Sequence, residues 1–202
     1  MQADFSVELG AEDDVMELPW AAASDQGPRY YDLKRQPELL LNVEEAFQNC
    51  ELGEFLAGIN SRNSILETSK CDVWFSKELN AEEQIYPSGC KFASYVDLVF
   101  SQGALRAFFR EHEEFARELC ALLKRAPEIS AAAEFVVRRC YYRKHAEQET
   151  EHDEGFGITF YLFGYGNDQQ EARRRWMIAL KVVENALLQL SAAYRRKINA
   201  TP

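Results

Sequence analysis

From Asp4 to Leu9 polar and apolar residues alternate, with Phe5, Val7 and Leu9 on one side, which predicts a half-buried strand. Val15 to Leu18 either continues it or makes a second short strand. Between Pro19 and Pro37 no period survives in a stretch rich in Ala, Asp, Gly and Pro, so a long surface connection is expected there. Helical spacing begins at Pro37, a residue suited to a first turn, and Glu38 adds a favourable charge beside it. Leu40, Val43, Phe47 and Cys50 predict one helix over residues 37–50. Gly53 interrupts it, and Phe55, Leu56 and Ile59 add another turn or two up to Asn60.

Two β segments follow, residues 64–76 and 91–101, joined by a charged linker that contains Pro87; they predict a hairpin. Ser101 is the expected N-cap of a second helix, whose stripe of Leu105, Phe108, His112, Phe115, Leu119 and Leu122 runs until Pro127 stops it. Residues 131–145 read as a strand, 146–154 as an acidic hairpin tip, and 155–165 as a strand apolar on both sides, hence central in its sheet. Gly166 and Asn167 make an exit turn, Asp168 and Glu171 fit a capping box, and a third helix runs to about residue 196.

This βαββαββα order predicts an α+β fold, a two-layer sandwich in which three main helices cover one face of an antiparallel sheet of about five strands. Residues 1–202 are read as one domain, with 1–36 an acidic strand plus surface connection. In layout alone, the first six elements resemble the ferredoxin-like βαββαβ order, and elements two to eight loosely resemble acidic secretion chaperones. No residue motif accompanies either likeness, so neither implies a function.

Charge sharpens the picture. The formal net charge of −10 resides in the first 60 residues, which hold thirteen acids and three bases, while residues from Glu171 onward are net positive. Such a molecule repels a phosphate backbone, so no nucleic-acid partner is expected, and its acidic front either is simply solvated or steers a basic partner. No stretch has the ~18 consecutive apolar residues of a membrane helix. The start lacks the basic region of a secretory signal, so no membrane association and a cytoplasmic location are expected. Cys50, Cys71, Cys90, Cys120 and Cys140 are scattered without a C-x-x-C pair and read as reduced, mostly buried thiols.

If helices cover one sheet face, alternation says what lies on the other. Phe92, Val96, Leu98, Phe100, Val73 and Phe75 point inward, which leaves Asp72, Trp74, Tyr95 and Asp97 outward. Strand 131–145 permits two parities, presenting either Arg139, Tyr141 and Arg143 or Arg138, Tyr142 and Lys144; Tyr161, Phe163 and Tyr165 complete the face. The candidate ligand-binding set takes the first parity: Asp72, Trp74, Tyr95, Asp97, Arg139, Tyr141, Arg143 and Tyr161. Flat rings supply contact area at low entropy cost, and Arg offers a fork to anions. The competing expectation is that Asp72 or Asp97 pairs with an Arg across the sheet, or that the N-terminal arm covers the face.

Other chemistry is thin. His112-Glu113 begins like H-E-x-x-H, but Ala116 stands where the second His must fall, which excludes that metal motif. His145 and His152, with Asp153 or Glu149, make either a weak divalent site or, more simply, a solvated loop. Gly155, Gly157, Gly164 and Gly166 relieve crowding in a strand rather than cradle phosphate. No catalytic residue, cofactor or metal is assigned. The third helix's seam of Trp176, Leu180, Val183, Leu187, Leu190 and Tyr194 serves either the core or a homodimer. The expected function is a non-enzymatic binding or adaptor protein that engages a protein partner through its acidic N-terminal region or the aromatic face. The alternative is an enzyme or small-ligand protein with a pocket on that face, Asp72 and Asp97 serving as acid/base candidates and Arg139 or Arg143 gripping an anionic group.

Overall fold

The computed structural model describes residues 1–20, 30–79, 86, 88–143 and 152–200. Strands β1 (Gln2–Glu8) and β2 (Met16–Leu18) precede a 3-10 helix (Pro37–Asn42) and helices α1 (Glu44–Gln48) and α2 (Cys50–Ile59). Next come β3 (Leu66–Ser76), β4 (Cys90–Phe100), α3 (Gly103–Arg106), α4 (Phe109–Leu123), β5 (Ala131–Arg143), β6 (His152–Gly166) and α5 (Gln169–Ala200). The predicted α+β class is realised as a six-strand, mostly antiparallel open sheet with helices packed on it.

The strand order is β1-β5-β6-β4-β3, so the strand that is apolar on both sides, β6, does hold the centre. β1 and β2 both pair in parallel with β5, opposite residues 132–138 and 140–142, and together they line one edge. The ferredoxin-like likeness stops here, because the first strand lies at an edge and never reaches the middle of the sheet.

One cluster of buried apolar side chains extends from Ala3 to Tyr194 and lies between the sheet and helices α2, α4 and α5. The α5 seam belongs to it. Trp176, Leu180, Val183, Leu187 and Leu190 are all buried within the one chain against the sheet, which is the core role of the two that the seam allowed. Helix and strand approach closely: a Cβ on Gly164 would strike the backbone of Trp176, and one on Gly166 the backbone of Ala172. The helix start is held as expected, with a shift of one residue. Asp168 Oδ1 accepts the Glu171 N–H (2.8 Å), while the Glu171 carboxylate accepts the N–H of Asn167 (2.8 Å).

Three local expectations are corrected. The helix predicted over 37–50 is broken at Val43 and Asn49, both extended, and α2 then runs straight through Gly53. A Cβ there would sit 3.4 Å from the Ala46 carbonyl oxygen, so this glycine lets α1 cross close to α2. Ser101 caps no helix; its hydroxyl donates to the Ile65 carbonyl (3.0 Å), and α4 begins eight residues later without a side-chain cap. The described part of the 19–37 connection is anchored. Leu33 is buried, and the Lys34 ammonium donates to the carbonyls of Ser61, Ser64 and Leu66 at 2.9, 2.7 and 2.8 Å.

Candidate binding face

The sheet face opposite the helices is set by the register of β3, β4 and β6. Tyr95 stands opposite Asp72 on one side and Tyr161 on the other, and Asp97 stands opposite Thr159. Opposed residues in a ladder share a face, so Asp72, Trp74, Tyr95, Asp97 and Tyr161 come together as the alternation predicts. Ser94, one residue away, points the other way and accepts a hydrogen bond from Trp176 Nε1 (2.9 Å).

Aromatic rings run along this face. Tyr95 and Tyr161 have ring centroids 6.0 Å apart, Tyr161 and Phe163 lie 6.4 Å apart and nearly parallel, and Phe163 and Tyr165 are 6.4 Å apart. Tyr86 stacks on Tyr165 at 5.1 Å. Trp74, Tyr95, Tyr161 and Phe163 remain partly exposed, Asp72 is exposed, and Lys91 holds its ammonium 5.3 Å above the Phe163 ring.

Asp97 stands on the same side of β4 as Tyr95, two residues along, and is 8% exposed. Thr159 Oγ1 donates to its Oδ1 at 2.7 Å. Burial pushes the Asp97 carboxyl up to about 6, against the opposing pull of the Thr159 hydroxyl and the charges of Lys70 and Arg138. Tyr95 is pushed up to about 12, first by burial and then by the Asp97 and Asp72 carboxylates. The expected cross-sheet Arg partner of Asp97 is replaced by this threonine.

Strand β5 takes the second of its two parities. Val136 opposes Thr159 and Arg138 opposes Gly157, so Arg138, Cys140 and Tyr142 join the open face. Arg139, Tyr141 and Arg143 lie on the other side, with Phe156, Glu154 and His152 opposite them. They are therefore removed from the candidate face. Arg143 pairs with Glu17 (2.6 Å), Arg139 donates to the Gly10 carbonyl, and Tyr141 packs on His152. Arg138, which the chosen set omitted, pairs with Glu8 (2.8 Å) and Asp14 (3.1 Å). Part of the acidic N-terminal charge is thus neutralised inside the molecule by β5 arginines.

The N-terminal arm also closes one end of the face. Met16, Leu18, Val99, Cys140 and Tyr142 form a second small core, with Tyr30 against it. Trp20 Nε1 donates to the Ser69 carbonyl (3.3 Å), and the Ser69 hydroxyl donates to that of Glu17 (3.1 Å). Arg106 pairs with Glu67 (2.6 Å) and lies 4.6 Å over the Tyr142 ring. Gly157 makes room for this layer, since a Cβ there would strike the Met16 sulfur. The end that carries Trp74, Tyr95, Tyr161 and Phe163 stays partly open.

The remaining candidates lie elsewhere. His112 is buried in the helix-side core with Nδ1 3.0 Å from the Phe108 carbonyl oxygen, and burial lowers it to about 4. Cys90, Cys120 and Cys140 are buried, Cys71 is half-buried, Cys50 is exposed, and all five are free thiols. Burial pushes Cys71 and Cys140 up to about 12, which makes them poor nucleophiles. His145, Glu149 and Lys144 fall outside the described residues, and among the described residues no three metal-ligating side chains converge. A cavity of about 170 Å³ lies against the Lys34 anchor, lined by Leu33, Leu40, Leu56, Asn60 and Arg62, and shares no lining residue with the open face. Among the described residues no helix is long and apolar enough to cross a membrane. In comparisons with family models, curated proteins and solved structures, none matches this chain.

Proposed function

We propose that this protein is a binding module that engages a protein partner through the open end of its sheet. The observation that carries this reading is the row Trp74, Tyr95, Tyr161 and Phe163, left partly exposed on a sheet whose opposite face is covered by helices. Rigid rings with few rotatable bonds provide contact area at little entropic cost, and a partly exposed aromatic cluster is a common centre of recognition surfaces. The acidic N-terminal region has a weaker claim, because Glu8, Asp14 and Glu17 are engaged by Arg138 and Arg143. One observation favours the second reading, an acid/base enzyme: burial on this face raises the Asp97 carboxyl to about 6, toward the range of a general acid or base. Its proposed anion grips, Arg139 and Arg143, lie on the opposite side of the sheet.

Affinity capture from native lysate with the full chain and with a Trp74→Ala/Tyr161→Ala variant tests the reading. A deletion of residues 1–36 is unsuitable, since it removes β1, β2 and the Lys34 anchor. Capture should fall by at least about ten-fold in the face variant and persist in Glu12→Gln, provided circular dichroism shows both folded. Equal capture by wild type and face variant refutes the proposal.

A further inference from the structure

We propose that Trp74, Tyr95 and Tyr161, with the carboxylates of Asp72 and Asp97, form a seat for a lysine or arginine side chain carried on an extended segment of a protein partner. The proposal rests on the reading of the face given above and adds the chemistry of its occupant. The molecule already uses this mode of contact on the same row of rings, where the Lys91 ammonium sits 5.3 Å above Phe163. Among the described residues, further cation-over-ring pairs occur elsewhere, such as Arg106 on Tyr142 and Arg117 on Phe5. Among the described residues, no cation lies over Trp74, Tyr95 or Tyr161.

Charge selects the occupant. Asp72 stands directly across the ladder from Tyr95, and Asp97 is two residues along the same strand on the same side. Their fields reach the Tyr95 hydroxyl, whose ionisation both oppose. A ring's negative face and two nearby carboxylates favour the same sign of guest, and an anionic segment would meet both as repulsion. Among the described residues, the basic groups whose charge reaches Asp97 also have other partners: Lys70 lies over Trp20 at 5.2 Å, and Arg138 pairs with Glu8 and Asp14.

The test uses two synthetic nonapeptides, one alternating Lys and Val, the other Glu and Val, titrated into the full-length protein at low salt. Fluorescence anisotropy gives affinity, and amide and indole NMR shifts give location. The Lys peptide should bind at least about ten-fold more tightly and should shift the Trp74 indole and the Tyr95 and Tyr161 amides. Asp72→Asn/Asp97→Asn should bring the two peptides within about threefold, while Glu113→Gln/Glu114→Gln, acids of α4 on the helix side of the sheet that pair with Arg117 and Arg110, should leave the ratio intact. Equal affinities, shifts confined to residues 38–51, or an unchanged ratio in the Asp72/Asp97 variant would each overturn the cation seat. If the peptides miss the face but Trp74→Ala/Tyr161→Ala still abolishes capture of the natural partner, the seat is wrong and the binding face stands. If the Lys peptide marks the face and that variant still captures the partner, the seat stands and the face is not where the natural partner docks.

Discussion

On one side of β4 stand Phe92, Ser94, Val96, Leu98 and Phe100, all buried under helices; on the other stand Lys91, Ala93, Tyr95, Asp97 and Val99, of which Lys91 and Tyr95 are half-exposed and the rest buried. The same eleven residues therefore build a dry interior and a partly wet surface, separated only by the pleat. Each side buries an ionisable group in its own way. The helix side keeps His112 neutral by lowering it to about 4, whereas the open side raises the Asp97 carboxyl to about 6, so that it stays protonated to a higher pH than a free aspartate but is still ionised at pH 7. Desolvation acts on both and disfavours charge in each, which lowers a base and raises an acid. What differs is the neighbourhood: His112 packs against Phe100 and Phe156 in the helix-side core, while Asp97 stands on the open face two residues along β4 from the half-exposed Tyr95.

The largest test of this asymmetry compares two tryptophans. Trp176 is fully buried against Phe92, with ring centroids 5.1 Å apart, and its Nε1 donates to Ser94. Trp176→Ala should cost about 3–5 kcal/mol in urea unfolding, because it opens a cavity and leaves the Ser94 hydroxyl unpaired. Trp74→Ala on the open side should cost under about 1 kcal/mol. Similar losses for the two would show that Trp74 is core and that the face is not a free surface.

Opposite pH signs give the next test, with effects of about 1–3 kcal/mol. Asp97 holds its proton more tightly folded than unfolded, so its contribution to stability falls as pH rises from about 4 to about 6. His112 resists protonation when folded, so its contribution falls as pH drops from 6.5 to about 4. In the wild type the two slopes oppose each other over one window. Asp97→Asn should stabilise the protein at pH 7 and leave it losing more stability than wild type on acidification. His112→Leu should do the reverse and gain stability, relative to wild type, between pH 6 and 4. Urea midpoints at four pH values decide it, and slopes of equal sign in the two variants would break the comparison.

The legibility of the two faces varied strand by strand, for a physical reason. In β3 and β4 apolar and polar residues alternate cleanly enough that Asp72, Trp74, Tyr95 and Asp97 could be set outward from sequence. In β5 the doublets Val136-Val137, Arg138-Arg139 and Tyr141-Tyr142 make both parities equally plausible, and only the register with β6 chooses between them. Gly155 and Gly157, two apart, carried the missing signal. They mark a face on which another layer approaches, and their cross-strand partners Cys140 and Arg138 share it. The parallel pairing of β1 with β5 joins residues about 130 positions apart, and no local pattern encodes it. That the N-terminal arm covers the face was one of the competing expectations, but which end it covers, through Met16 and Leu18, is set by the same long-range pairing and not by a local pattern.

The smallest effect offers the sharpest separation of the sides. Thr159 and Ser94 are both buried hydroxyls in the middle of the sheet, on neighbouring strands, yet they point to opposite faces. Thr159→Val removes the O–H that donates to Asp97 and so takes away the group that most favours its ionised form. The Asp97 carboxyl should then titrate higher than about 6, by roughly one pKa unit, with stability at pH 7 lowered by about 1 kcal/mol. Ser94→Ala removes the acceptor of Trp176 Nε1 instead, and should leave the Asp97 titration where it is, because the backbone of β4 lies between them. Carboxyl carbon NMR followed from pH 4 to 8 in the two variants reads both outcomes. A shift of Asp97 in Ser94→Ala as large as in Thr159→Val would mean that the faces are electrostatically one environment, and the distinction drawn between a closed and an open side would not hold.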